Sequence, residues 1–278
     1  MESSLLISLT DDESSENSDV PDSDMMSRAS GEIGKFRCYK SNCRTKSESR
    51  AIGTWFEGAR LSLTLIFQMM YAFSEGLSYT QTKKECATDD TVLSARTIAD
   101  WFSYCRETIV IYELENQENR PKIGGPGKIV QIDEVRHIEG HWVIGMIEDG
   151  NDDLRLEVCP DNERSAEVLV PLIQKHVQEG SIIHTDYWRA YMSLPEYGYI
   201  HRRVNHSDPT HRFVAPDGTH TQRIESQWRG LKKAFRQQQH KHDFTDWLCE
   251  YSWRRRIRMN HMDPYEELLK AIKHVYRL

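Results

Sequence analysis

The stretch Lys128-Ile129-Val130-Gln131-Ile132-Asp133-Glu134-Val135 decides how the second half of this chain is read. Its apolar, β-branched run predicts a strand. The tight connection Arg136–Gly140 and the polar run Asp149-Gly150-Asn151-Asp152-Asp153 read as hairpin turns, so His141–Glu148 and Leu154–Cys159 follow as two further strands. An acid inside such a run is costly to bury unless it is paired or holds a cation, and this singles out Asp133. Glu134 is its rival, because strand alternation alone does not separate the two.

Toward the C-terminus, Ser165–Val177 reads as a helix with Ser165 as its cap. Ser181–Thr185 is a fourth strand and Tyr199–Val204 a fifth. Thr221–Gln238, Phe244–Met259 and Pro264–Tyr276 read as helices, the last opening on a capping Asp263 with Pro264 at its first position. This element order is α/β. Asp186 closes the fourth strand, at the kind of edge where α/β sites gather. Glu225 sits one turn into its helix, and Lys232 follows two turns along the same face.

If the first and fourth strands are neighbours, Asp133 and Asp186 come side by side and Glu225 reaches in from the helix. Three carboxylates held together raise one another's pKa and stay ionised only with cations between them. Mg²⁺ takes oxygen ligands and leaves positions open for water and phosphate. Two such ions about 4 Å apart activate an attacking water and stabilise the leaving oxygen of a phosphodiester.

Toward the N-terminus, residues 113–127 (ELENQENRPKIGGPG) read as a polar linker and mark a boundary. Before it, Leu61, Leu65, Met69 and Ala72 recur at helical spacing until Gly76. Thr80–Cys86 forms a short helix. Ser94 caps a longer one, Ala95–Tyr112, with Ile98, Phe102, Cys105 and Ile109 on one face. This order is compatible with a helix-turn-helix, which would expose Arg96, Thr97 and Asp100 to a DNA groove, and equally with an ordinary helical bundle. Cys38 and Cys43 are at best half of a zinc ribbon, since a tetrahedral site needs four ligands, so zinc is not expected.

Charge is unevenly spread. The chain has 278 residues and a formal net charge of −7, yet residues 1–34 hold nine acids and one base. That segment has no aromatic residue and reads as a disordered acidic tail. Residues 121–200 hold seven bases against 14 acids, whereas residues 201–260 hold 13 bases against six. Positive charge therefore concentrates around Glu225, as phosphate neutralisation requires, with Arg229, Lys232, Lys233 and Arg236 on its helix and Arg254 and Arg255 on the next. Arg254-Arg255-Arg256 with Arg258 also reads as a nuclear import signal, or as a plain solvated helix face. His184, His206 and His220 lie in the same region without zinc-ligand spacing. No apolar run is long enough to span a bilayer, the N-terminus lacks the pattern of a secretory signal, and six Cys in a chain this long suit a reducing compartment.

A longer series of motifs occurs in order: GPGKIVQIDE (125–134), HWVIG (141–145), DNERSA (161–166), HTDYWRAY (184–191), VNH (204–206), HTQRIESQW (220–228) and Lys232. The series resembles the Merlin-type DDE transposases of animals and their bacterial insertion-sequence relatives, over about residues 125–260. The resemblance implies an RNase H-like mixed sheet flanked by helices over residues 123–278, and a DNA-binding region over residues 35–122. It implies Mg²⁺ or Mn²⁺, two ions held by Asp133, Asp186 and Glu225, with Lys232 as the basic position after the Glu. It also implies cut-and-paste transposition in the nucleus, with terminal inverted repeats and target DNA as substrates and a dimer or higher assembly to join two ends. The sequence departs from the family pattern in lacking the first Cys pair of a ribbon and in the short Arg136–Gly140 loop. A DNA-binding host protein derived from a transposase and a stand-alone nuclease are the rival readings.

Overall fold

A computed structural model describes residues 35–37, 47–87, 92–117, 119–138, 140–237 and 243–276. The acidic tail, Cys38 and Cys43 lie outside the described residues. Strands β1 (Lys35–Arg37) and β2 (Ser47–Ser49) form an antiparallel pair in a small unit of their own.

The second compact unit runs from residue 64 to the C-terminus and includes residues 53–55. It opens with helices α1 (Leu63–Ser74), α2 (Tyr79–Glu85) and α3 (Ala95–Gln117). Gly76 takes a positive φ where α1 ends. Ser78 and Gln81 form a capping box on α2, and the Ser94 hydroxyl accepts from the Thr97 N–H to start α3. Then come β3 (Ile123–Gly124), β4 (Ile129–Ile138), β5 (His141–Glu148), β6 (Leu154–Val158), α4 (Ala166–His176), β7 (Val177–Gln178), β8 (Ile182–Thr185) and β9 (Ile200–Arg203). Helices α5 (Gln222–Gln237), α6 (Phe244–Met259) and α7 (Pro264–Val275) complete the chain.

The main sheet has the order β6-β5-β4-β8-β9. The three strands of the meander are antiparallel, while β4, β8 and β9 run parallel. This is the expected mixed sheet, flanked by helices. Val130, Ile132, Ile144 and Met146 pack on one face with Leu169 and Ile173 of α4. Val135, Val143 and Ile147 pack on the other with Ile224, Trp228 and Leu231 of α5 and Trp247 of α6. The period-two pattern of β4 thus places its odd-numbered residues toward α5 and its even-numbered residues toward α4.

Three local expectations change. The polar stretch 113–127 is not a plain linker: α3 runs on to Gln117, and Ile123–Gly124 pairs in parallel with Val177–Gln178. Strand β4 continues through Arg136–Ile138, with Ile138 opposite His141, so the hairpin turn is tighter than the sequence suggests. Ser165 stands at the N-cap of α4, but its hydroxyl makes no capping bond there. Asp263 caps α7 as expected, accepting from the N–H groups of Tyr265 and Glu266. Helix α3 packs against α6 and α7, with Phe73 edge-on to Phe102 and Trp253 fully buried nearby in sequence to the α6 arginines.

Candidate functional site

Strands β4 and β8 pair in parallel with Ile129 opposite Ile182, Val130 opposite Ile183 and Gln131 opposite His184. Two residues further along that register, Asp133 and Asp186 stand level at the same edge of the sheet. Helix α5 lies across β4 and β5 and carries Glu225 in its first turn.

Each acid is held. Asp133 Oδ2 accepts from Trp228 Nε1 at 2.7 Å, a bond between sheet and helix. Asp186 Oδ1 accepts from the Trp188 N–H at 2.8 Å, which fixes it just beyond β8. Glu225 Oε1 accepts from Thr221 Oγ1 at 2.5 Å, and His206 Nε2 stands 3.4 Å from the same oxygen. The His206 Nδ1 bonds the Arg212 carbonyl at 2.8 Å, tying Glu225 to the loop before α5.

Electrostatics link the three. Burial pushes the Asp133 carboxyl up to about 6; the Trp228 donor works against this, and the charges of Asp186 and Glu225 add to it. Glu134 is separated from this group by the pleat. It faces α4, and burial together with the charges of Asp133 and Asp186 pushes it up to about 8. Its Oε1 and the Tyr191 hydroxyl are both buried without a completed hydrogen bond. Asp133, not Glu134, therefore shares a face with Glu225.

Two residues that sequence reasoning passed over build this geometry. Gln131 is fully buried, two positions before Asp133 on the same face. Its Oε1 accepts from the N–H groups of Arg223 and Ile224 at 3.0 and 3.3 Å, so a strand side chain closes the start of α5. Its Nε2 reaches Asp149 Oδ1 at 2.7 Å and His220 Nδ1 at 3.2 Å. Gly145 lies directly opposite Asp133 on β5. A Cβ there would stand 2.5 Å from Trp228 Cη2 and 2.9 Å from Ile224 Cδ1. The only sequence signal was a polar residue and a glycine inside apolar strands.

The bases divide. Arg229, Lys232, Lys233 and Arg236 continue the Glu225 stripe along α5 and make no ion pair among the described residues. Arg96 is exposed on α3 and pairs with Asp100 at 3.1 Å, beside Thr97 in the capped first turn. Arg254 and Arg255 are corrected. Arg254 bonds Glu250 and the carbonyls of Ser74 and Phe73, which uses all three guanidinium nitrogens. Arg255 is buried and donates to Gln227 Oε1, and Arg256 pairs with Glu113. These three side chains brace the interior and are not laid out as open phosphate contacts.

The donor set suits a hard divalent cation: three carboxylates whose charges act on one another, all supplying oxygen. Among the described residues, no three acid, His or Cys side chains close around a single point. Glu225 is instead turned toward Thr221 and His206. The histidines His184, His206 and His220 serve hydrogen bonds here, the His220 N–H reaching His184 Nδ1 at 3.4 Å. No helix among the described residues is long and apolar enough to cross a membrane.

Comparison with known proteins gives three findings. No curated protein sequence matches the chain. Among solved structures, the catalytic core domain of BIV integrase is similar at 17% identity and a TM-score of 0.34, covering 54% of this chain and 98% of that one. The family finding covers the site itself: residues 123–256, which include Asp133, Asp186, Glu225 and Lys232, match the family model of the ISXO2-like transposase domain.

Proposed function

We propose that this protein is a DDE transposase of the Merlin type, which cuts DNA at transposon ends and joins the freed 3′ end to target DNA. The match to a transposase domain supports the DNA-cleaving activity. The single observation that carries the site assignment is the parallel register of β4 and β8, which brings residues 133 and 186 level under the helix that bears Glu225.

Asp133, Asp186 and Glu225 are the residues that would hold Mg²⁺ or Mn²⁺, in all two ions. Bound metal supplies activation of the attacking oxygen and stabilisation of the leaving one. The chain's own part is positioning. Trp228 orients Asp133, the Trp188 N–H fixes Asp186, and Gln131 holds the first turn of α5 in place. Glu225 exchanges its hold on Thr221 and His206 for the reacting centre. Lys232 and the bases beside it take backbone phosphates of the duplex. The helices α2 and α3 supply further DNA contacts through Arg96 and Thr97. Assembly as a dimer or higher oligomer and action in the nucleus belong to the same reading.

The test is cleavage and strand transfer on a duplex made from the inverted repeats that flank the coding region, in Mg²⁺ and in Mn²⁺. Wild-type protein is expected to nick and then join. Asp133→Asn, Asp186→Asn and Glu225→Gln are each expected to bind the duplex without cutting it. Wild-type-like cleavage by one of them removes that residue from the site. Binding without any nicking by the unmutated chain favours a DNA-binding host protein, and cutting without joining favours a nuclease.

A further inference from the structure

Beside Asp186 lies a cation that the site described above does not use. The Arg164 guanidinium is sandwiched between two indoles, its Cζ 4.2 Å from the Trp142 ring centre and 3.9 Å from that of Trp188. Arg189 stands over the same Trp188 ring at 6.0 Å. Trp188 is the residue whose N–H fixes Asp186, and its Nε1 donates to the Arg164 carbonyl at 3.1 Å. On the other side, Asn162 accepts from the Trp142 N–H at 2.7 Å and donates to the Gly140 carbonyl at 3.0 Å, pinning the turn before Arg164. The positive charge also acts on Glu134, on the α4 side of the sheet.

Stacking on both faces leaves a guanidinium only its N–H edge for polar partners, and that edge is a fork matched to two oxygens. Arg164 is half-buried, yet it donates no hydrogen bond and closes no ion pair among the described residues. A fixed, half-buried cation with an open edge is arranged to receive an anion. Among the described residues no carboxylate pairs with it: Asp186 Oδ1 accepts from the Trp188 N–H, and Glu134 lies on the α4 side of the sheet. We propose that Arg164, clamped by Trp142 and Trp188, is a binding site for a backbone phosphate of the DNA strand that enters at the Asp186 edge, with Arg189 as a weaker second contact. The proposal rests on the DNA-cutting reading and adds to it a phosphate contact beside Asp186.

The experiment is the salt dependence of duplex binding. Each neutralised phosphate contributes about 0.9 to the slope of log affinity against log salt. Arg164→Gln is expected to bind more weakly with a slope smaller by about one such step. Arg164→Met, which keeps apolar packing between the indoles, is a second neutral variant and is expected to lose the same step. Arg164→Lys keeps the charge and is expected to keep the slope, with weaker binding because the stacked fork is gone. A wild-type slope in both neutral variants overturns the proposal, because a purely packing role changes melting temperature and not slope. If the unmutated chain fails to bind duplex DNA, the DNA-cutting reading falls with it. If it binds with a slope independent of residue 164, only the Arg164 assignment falls.

Discussion

The Trp228 indole donates its N–H to Asp133 across 2.7 Å, so the strand that bears the first acid is bonded directly to the helix that bears the third. The ring is buried as well, packed over β5 next to Ile224. Trp228→Phe keeps the packing and removes the donor. A hydrogen bond to a charged group is worth about 1.5–3 kcal/mol. The variant is expected to lose stability in the lower part of that range by urea unfolding. Cleavage should fall much further than duplex binding, because the acid loses its orientation while the basic stripe on α5 is untouched.

Gln131 performs a helix-capping task from inside a sheet. In Gln131→Leu, the N–H groups of Arg223 and Ile224 would lose their acceptor. Loss of such a cap costs about 1–2 kcal/mol. Hydrogen exchange is the direct check: the amides of residues 223 and 224 are expected to exchange faster, with the far end of α5 little changed. Unaltered exchange at those two amides would show that the helix start is held by something else.

Arg106, Glu250 and Arg254 form a partly buried triad joining α3 to α6, with Arg106 Nε 2.6 Å and Arg254 Nε 2.7 Å from the carboxylate. The two guanidinium groups hold Glu250 below the usual carboxylate range in spite of its burial. Glu250→Gln leaves two desolvated cations without their counter-charge and is expected to destabilise by about 3–5 kcal/mol. Arg254→Ala is expected to lower the melting temperature while leaving the salt slope of DNA binding at the wild-type value, in contrast to a neutralised base on the open stripe of α5.

A pH dependence of stability is built into His201 on β9. Burial, with the charge of Arg203 and the neighbouring His184, lowers its pKa from 6.5 to about 4. In the unfolded chain this ring takes up a proton at about 6.5, whereas in the folded chain it stays neutral until about pH 4. Between those values the unfolded state binds more protons, so stability is full above the upper value and falls as pH drops toward the lower one. Melting temperature is expected to decline over that window, and to decline less steeply in His201→Gln. Identical slopes in the two proteins would remove His201 as a source.

Much of this architecture was written locally. The alternation around Ile129–Val135, the turn residues of the meander and the Asp263-Pro264 helix start are short-range signals, and the structure follows them to within a few residues. The side-by-side placement of Asp133 and Asp186 was conditional, because parallel pairing between strands some fifty residues apart leaves no periodic mark. The choice between Asp133 and Glu134 needed the position of α5. Arg254 read as a surface base because an arginine run looks solvated, although Glu250 one turn earlier was a visible hint of pairing. Gln131 was illegible for the opposite reason. A polar residue in a strand reads as a solvent-facing position, and only the arrival of a helix terminus above it reveals an acceptor.

Gly145 carries the last consequence. With hydrogen alone at that position, the indole of Trp228 approaches the β5 backbone more closely than any side chain there would allow, and this close approach seats the helix that carries Glu225. One methyl group there would act as a shim under the helix, lifting Glu225 away from its partners while altering none of the residues that do chemistry. The tolerance of the whole assembly is thus set by a side chain that is missing.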